Sequence, residues 1–330
     1  MAETTNIGEI AAKISKEIFE HFRWTTHPKR DDNFACTNTA HVSEKGVEKN
    51  THPGDVVFHY EDPYLQRRIY LHTDLKSYAD DSINPKRVKQ ALKSLCMAIE
   101  CANQSKEWRN KYSVNPSDAH EVRGLLFVHN YTKGYAQSFN DAIRGVNLHT
   151  LPVAPGTQLH YLGPQDIQRL YSIGNDIIRL SHTKDLPNDY TFYYPDLMLC
   201  RRHGDVWEQP ATIEALTGPY LIIKHKQTEN VGPGYVIYYN RPKATAEGLQ
   251  YFLDSLSRYQ MLESGEHIRI RCTNVAALDD IKTSLEIAKQ RYAKDWGFDP
   301  ARIVILEQIG IDAVTSVTDT YNPGTTGWRE

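Results

Sequence analysis

Near the N-terminus apolar side chains recur every fourth residue, at Ile10, Ile14, Ile18 and Phe22, which predicts an amphipathic helix over residues 8 to 23. At about 100° per residue, Glu17 falls at the edge of that stripe beside Ile10, while Glu20 points away from it. Thr25 to Asn50 is polar and turn-rich, with an irregular first strand expected near Thr39 to Val47. The pattern then becomes β-branched and aromatic. Val56 to Phe58 follows a Pro53-Gly54 turn, Ile69 to Leu75 forms a second apolar run, and Asp62-Pro63 between them predicts a strand pair. A helix follows, with Asn84 as N-cap, Pro85 at its first position and Val88, Leu92, Leu95 and Ile99 as its buried stripe. Residues 123 to 129, RGLLFVH, predict another strand.

The C-terminal part has its own rhythm. A helix is expected from Pro164 to residue 180 and a strand-like run from Thr191 to Arg201. Strands are expected at Pro219 to Lys224, Gly234 to Tyr239, His267 to Cys272 and Arg302 to Leu306, with helices at Ala244 to Met261 and Ala276 to Trp296. This β-β-α-β-α-β order predicts a small α/β domain beginning near residue 206. With 330 residues, the chain allows one large domain or two ordinary ones, and either can bury a sizeable core.

Composition narrows the class without naming a partner. A hydrophobic fraction of 40% and a charged fraction of 24% are those of a globular chain, and the net charge of −3 leaves room for a local basic channel. Five cysteines, odd in number and without Cys-x-x-Cys spacing, imply neither a disulfide framework nor a zinc ribbon and fit a reducing cytoplasm. The N-terminus lacks a basic-then-apolar signal pattern and no run reaches membrane-spanning length, so no membrane association is expected. No Gly-rich phosphate-binding motif is present, so a nucleotide site is unsupported.

The chemistry concentrates between residues 51 and 79. Along an extended strand alternate side chains share a face, so Asp74 and Lys76 stand side by side. Asp55 opens the neighbouring strand, and pairing of the two strands would bring its carboxylate toward Asp74. Two converging carboxylates make a hard oxygen site suited to Mg²⁺. A second acid-x-lysine, Asp280-Ile281-Lys282, lies in a helical pattern and reads as surface. Pro195-Asp196 has no acid-x-lysine at useful distance and reads as structural; Lys133 sits in a loop at a strand end. Lys86, Lys89 and Lys93 line one helix face, first as a solvated face and second as a track for phosphates.

Gly54-Asp55 followed by Asp74-Leu75-Lys76 at the end of an apolar strand resembles the PD-(D/E)XK nuclease superfamily, over roughly residues 8 to 130, with Gly54 where the family name has proline. The resemblance implies a restriction-endonuclease-like αβββαβ core in a first domain, residues 1 to 205, followed by the smaller α/β domain, residues 206 to 330. It implies Mg²⁺, with Mn²⁺ able to substitute, held by Asp55, Asp74 and, from the first helix, Glu17. Lys76 would orient or activate water, and the product would be DNA cut to 5′-phosphate ends. It also implies bacterial defence against foreign DNA, under the control of a protein partner such as a defence-system ATPase, of self-association or of the C-terminal domain. Two rival readings remain. One is a metal hydrolase using His52, His59 and His72 with the aspartates; the other is a catalytically silent nuclease-like module that binds DNA or protein.

Overall fold

The computed structural model describes residues 2–79, 82–130, 137–195, 207–241, 244–262, 265–273 and 278–315; Lys133 and Asp196 lie outside the described residues. The chain divides into two compact units, one running to Tyr171 and the other beginning at Ser172. This division precedes the boundary expected near residue 206 and falls inside one helix.

The first unit opens with α1 (Ala2–Glu17), which starts earlier and ends sooner than the stripe suggests. Ile18 leaves helical geometry, Phe19–Phe22 make a turn of 3₁₀ helix, and Arg23 ends it in the left-handed region at φ 63°. Short strands follow: β1 (Thr25–Arg30), β2 (Phe34–Ala35) and β3 (Thr51–His52). The expected strand at Thr39 to Val47 is a loop with one isolated bridge, Val42 to Glu48; the first strand is β1. β1 hides from pattern reading because it is a sheet edge of sequence TTHPKR, and polar residues with a proline are what edges carry to resist further pairing.

The long antiparallel pair is β4 (Val56–Asp62) and β5 (Arg67–Tyr78). Their turn is tightened by Asp62, whose Oδ1 accepts from the backbone N–H groups of Tyr64 and Leu65 at 2.9 and 2.8 Å. Then comes α2 (Pro85–Gln104), capped by the Asn84 side chain accepting from Arg87 N–H at 3.0 Å. Its stripe Val88, Leu92, Leu95 and Ile99 is buried. Ser105 ends α2 and caps α3 (Lys106–Lys111), which leads to the buried strand β6 (His120–Asn130). Gly124 lets α2 lie close on β6, since a Cβ there would come within 2.5 Å of Leu159 and 3.0 Å of Leu95. α4 (Gln137–Arg144), β7 (Leu159–Leu162) and α5 (Pro164–His182) complete this part.

The sheet order is β1-β4-β5-β6-β7, with the first two pairings antiparallel and the last two parallel. One face carries α2 against Val57, Tyr70, Val122, Leu126 and Val128. On the other, Phe19 packs on Trp24, Phe58 and Phe127 with ring centroids 4.5, 4.7 and 6.1 Å apart. This is the mixed α/β, restriction-endonuclease-like core.

The second unit repeats that plan. After α5 come β8 (Thr191–Phe192), α6 (Ile213–Thr217), β9 (Tyr220–His225), β10 (Gly234–Tyr239), α7 (Ala246–Arg258), β11 (His267–Cys272), α8 (Leu278–Asp295), α9 (Pro300–Gln308) and β12 (Gly310–Ala313). Its sheet order is β8-β9-β10-β11-β12, again antiparallel, antiparallel, parallel, parallel. In each unit one or two helices join the third strand of this order to the fourth and the fourth to the fifth. Arg302 to Leu306 is helical, not the strand its Ile303, Val304 and Ile305 suggest. Asp299 caps that helix, its side chain accepting from Ala301 N–H at 3.1 Å, and Pro300 occupies its start. These start signals outweigh β-propensity, which depends on packing more than on the backbone itself. Asp280 and Lys282 are exposed on α8, flanking buried Ile281, as their pattern predicts.

Candidate active site

β4 and β5 pair with Val56 opposite Thr73, so Asp55, one residue before β4, stands across from Asp74. The site thus lies at one end of the sheet, where β4 begins and β5 nears its end. Asp55 is buried, and its Oδ2 accepts from the Leu75 backbone N–H at 2.7 Å. Lys76 Nζ sits 2.6 Å from Asp74 Oδ1, as the shared strand face requires.

The electrostatics follow from burial and from two like charges. Burial, then the Asp74 carboxylate, pushes the Asp55 carboxyl up to about 7, against the opposing pull of the Leu75 N–H and Lys76. Burial works against the Lys76 ammonium, but Asp74, with Asp55 behind it, outweighs that and raises its pKa. A pair of crowded carboxylates, one retaining its proton near neutrality, gains most from a cation between them. The donor set is hard oxygen and fits Mg²⁺ or Mn²⁺.

Gly54 is required at this turn for a steric reason. A Cβ at this position would come within 2.8 Å of the His72 ring, 3.1 Å of Tyr112 Oη and 3.3 Å of the Asp32 carbonyl. His72 is locked there: its Nε2 donates to Pro53 O at 2.9 Å and its Nδ1 accepts from Trp108 Nε1–H at 3.3 Å. Burial lowers its pKa, which keeps it neutral, so it holds the turn before Asp55.

A family model described as the GAPS4 protein PD-(D/E)XK nuclease domain matches residues 1–166, just over half of the chain. The chain belongs to this family. Neither a curated protein nor a solved structure matches it. The GAPS4 nuclease match spans α1 to β7 and includes Asp55, Asp74 and Lys76, so the chain carries a nuclease domain of the PD-(D/E)XK superfamily.

Glu17, at the end of α1, is half-buried and lies 3.8 Å from Lys13, whereas Glu20 is exposed on the 3₁₀ turn. Among the described residues a single group of three or more His, Cys, Asp or Glu side chains brings its ligand atoms within 4.8 Å of one another. It consists of Cys36, His41, His52 and Cys101, so Glu17 does not close up with both aspartates to that distance. Of His52, His59 and His72, only His52 belongs to this group, and its companions include no aspartate.

Lys49 is a residue that sequence reading missed. Burial lowers its pKa, partly offset by the charges of Cys36 and Asp74, so this lysine lies within the field of the site. Its Nζ donates to Ser94 Oγ at 3.0 Å, and exposed Lys93 on α2 lies close enough to act on it electrostatically. Nothing in the loop's sequence marks Lys49, because the fold alone sets it against Ser94 on α2. In the second unit, Pro219 precedes β9 and Asn240 follows β10, in the places that Asp55 and Asp74 hold in the nuclease domain.

No helix among the described residues is long and apolar enough to cross a membrane.

Proposed function

We propose that this chain is a Mg²⁺-dependent endonuclease that hydrolyses DNA phosphodiester bonds in bacterial defence against foreign DNA. The observation that carries the reading is the placement of Asp55 and Asp74 across paired strands, with Lys76 2.6 Å from Asp74. Asp55 and Asp74 would hold the metal, and Glu17 at the end of α1 would support it from outside that pair of carboxylates. When bound, the metal supplies an activated water and a counter-charge for the leaving oxygen. Lys76 orients the water and offsets the negative charge that grows on the phosphate. Lys49 and Lys93 extend the positive charge along the path a phosphate backbone would take.

The test is cleavage of plasmid and linear DNA by the full chain with added Mg²⁺ or Mn²⁺, in magnesium-free buffer, and after Mg²⁺ is restored. Cleavage is expected only with metal. Equal rates without it would overturn the reading. Because metal must displace the proton that Asp55 retains up to about 7, apparent metal affinity should rise with pH through that value. The sign follows from Asp55's raised pKa: the protonated, metal-excluding form dominates below it.

Glu17→Gln is expected to slow cleavage by about tenfold or more, the scale typical of altered support around a metal. Glu20→Gln should leave the rate unchanged, since Glu20 is exposed on the separate turn. The reverse order, measured as initial cleavage rates, would remove Glu17 from the site.

The second unit is proposed to regulate or assemble the enzyme, by binding a partner such as a defence-system ATPase or a second copy of the chain. Its support is a core of the same strand order with Pro219 and Asn240 in place of the two aspartates.

A further inference from the structure

Between Ala35 and Thr51 the first unit carries a long loop with almost no apolar anchoring. His41 is the one buried residue in residues 35 to 51. A loop of this length inside a compact unit needs something to hold it. His41 Nδ1 lies 3.4 Å from Cys36 Sγ, 3.4 Å from Cys101 Sγ and 3.4 Å from His52 Nε2, and the two sulfurs are 3.8 Å apart. All four donor atoms lie within 4.8 Å of one another. One ring nitrogen has at most one proton, so three such contacts do not make a hydrogen-bond network.

The spacings are those of a tetrahedron's edges. With Zn–S about 2.3 Å and Zn–N about 2.0–2.1 Å, and an edge about 1.63 times the bond, zinc requires about 3.8 Å between sulfurs, about 3.4 Å between nitrogens and about 3.5 Å between unlike donors. We infer that Cys36, His41, His52 and Cys101 form a structural zinc site, separate from the nuclease centre. The surroundings are arranged as outer support for such a site. With Nδ1 as ligand, His41 carries its proton on Nε2, which faces Glu100 Oε2 at 3.3 Å; Glu100 Oε1 accepts from Asn38 Nδ2 at 2.8 Å. Thr37 N–H donates to Cys101 Sγ at 3.4 Å. Two thiolates neutralise Zn²⁺, so the buried site carries no net charge. His41 and His52 are fully or nearly fully buried, as is Cys101, and the set is closed by four protein ligands, which marks a structural rather than a catalytic ion.

The site ties the loop and β3 to α2 through Cys101, and it anchors His52, three residues before Asp55. It therefore also fixes the turn through Pro53, whose carbonyl His72 holds.

The test is elemental analysis of the full chain purified without chelator from zinc-replete cells. About one zinc per chain is expected in the wild type and in Asp74→Asn, falling below about one tenth in Cys36→Ser and Cys101→Ser. Because a cysteine variant can misfold, the wild type is also refolded with Co²⁺. Tetrahedral cobalt absorption with thiolate charge-transfer bands is expected, saturating at one equivalent. Zinc retained in both cysteine variants, zinc lost in Asp74→Asn, a Cys36–Cys101 disulfide in the unreduced protein, or a wild type that takes up neither zinc nor tetrahedral cobalt would each overturn the proposal.

Discussion

Asp74→Asn and Lys76→Ala are each expected to remove metal-dependent DNA cleavage while the protein stays folded. Asp74 is the proposed metal ligand and pairs with Lys76, so its loss should cost about 4 kcal/mol of transition-state stabilisation, roughly 10³-fold in rate. Lys76→Ala removes one preorganised positive charge and should cost on the order of 10²–10³-fold. Asp74→Asn should not lower the thermal midpoint, and Lys76→Ala should lower it slightly, because it leaves Asp74 beside Asp55 without its cation. The two side chains lie at the edge of the sheet end, and Lys76 is 36% exposed. The Asp74→Asn change also relieves the repulsion that Asp74 imposes on buried Asp55. Single-turnover cleavage with saturating Mg²⁺, beside circular-dichroism melts, measures both effects. Either variant cutting at the wild-type rate would take the nuclease chemistry away from this sheet end.

The largest stability effect is expected in the second unit, at Asp176. Its side chain is 1% exposed and accepts from Arg271 Nε at 2.9 Å and Nη2 at 2.6 Å, from Arg179 Nη2 at 2.7 Å and from the Tyr238 hydroxyl at 3.2 Å. A buried pair of this kind stabilises little in itself, because desolvation cancels most of the attraction. Breaking it leaves the 10%-exposed Arg271 guanidinium without compensation. Asp176→Ala should therefore destabilise the protein by about 3–5 kcal/mol, read from urea unfolding. Arg179→Ala should cost far less, since that side chain is 49% exposed and its partner keeps Arg271. A loss below about 1 kcal/mol for Asp176→Ala would show that water reaches the pair.

The shared strand order of the two units gives the second one a physical reading. A five-stranded mixed sheet with helices between its parallel strands builds a stable core in both, and the core does not need the acids. Pro219 and Asn240 leave the second unit with the fold's support and without its two carboxylates.

Local pattern alone determined the parts of the candidate site that are local. Alternation along β5 put Asp74 and Lys76 on one face, apolar runs marked β4, β5 and β6, and Asn84-Pro85 marked the start of α2. The superfamily was legible for the same reason, because its motif lies within two paired strands. Other features depended on side chains brought together from afar. β1 carries an edge strand's polar sequence, and α9 takes its helical form from a cap rather than from its β-branched residues. The division of the chain falls within α5, where periodicity continues without interruption. The tertiary structure alone brought Lys49 to Ser94 on α2, and it alone gathered Cys36, His41, His52 and Cys101 from a loop, a short strand and a helix. No spacing rule reaches across such distances, because the geometry that joins these residues belongs to the packed sheet and not to any single segment of chain.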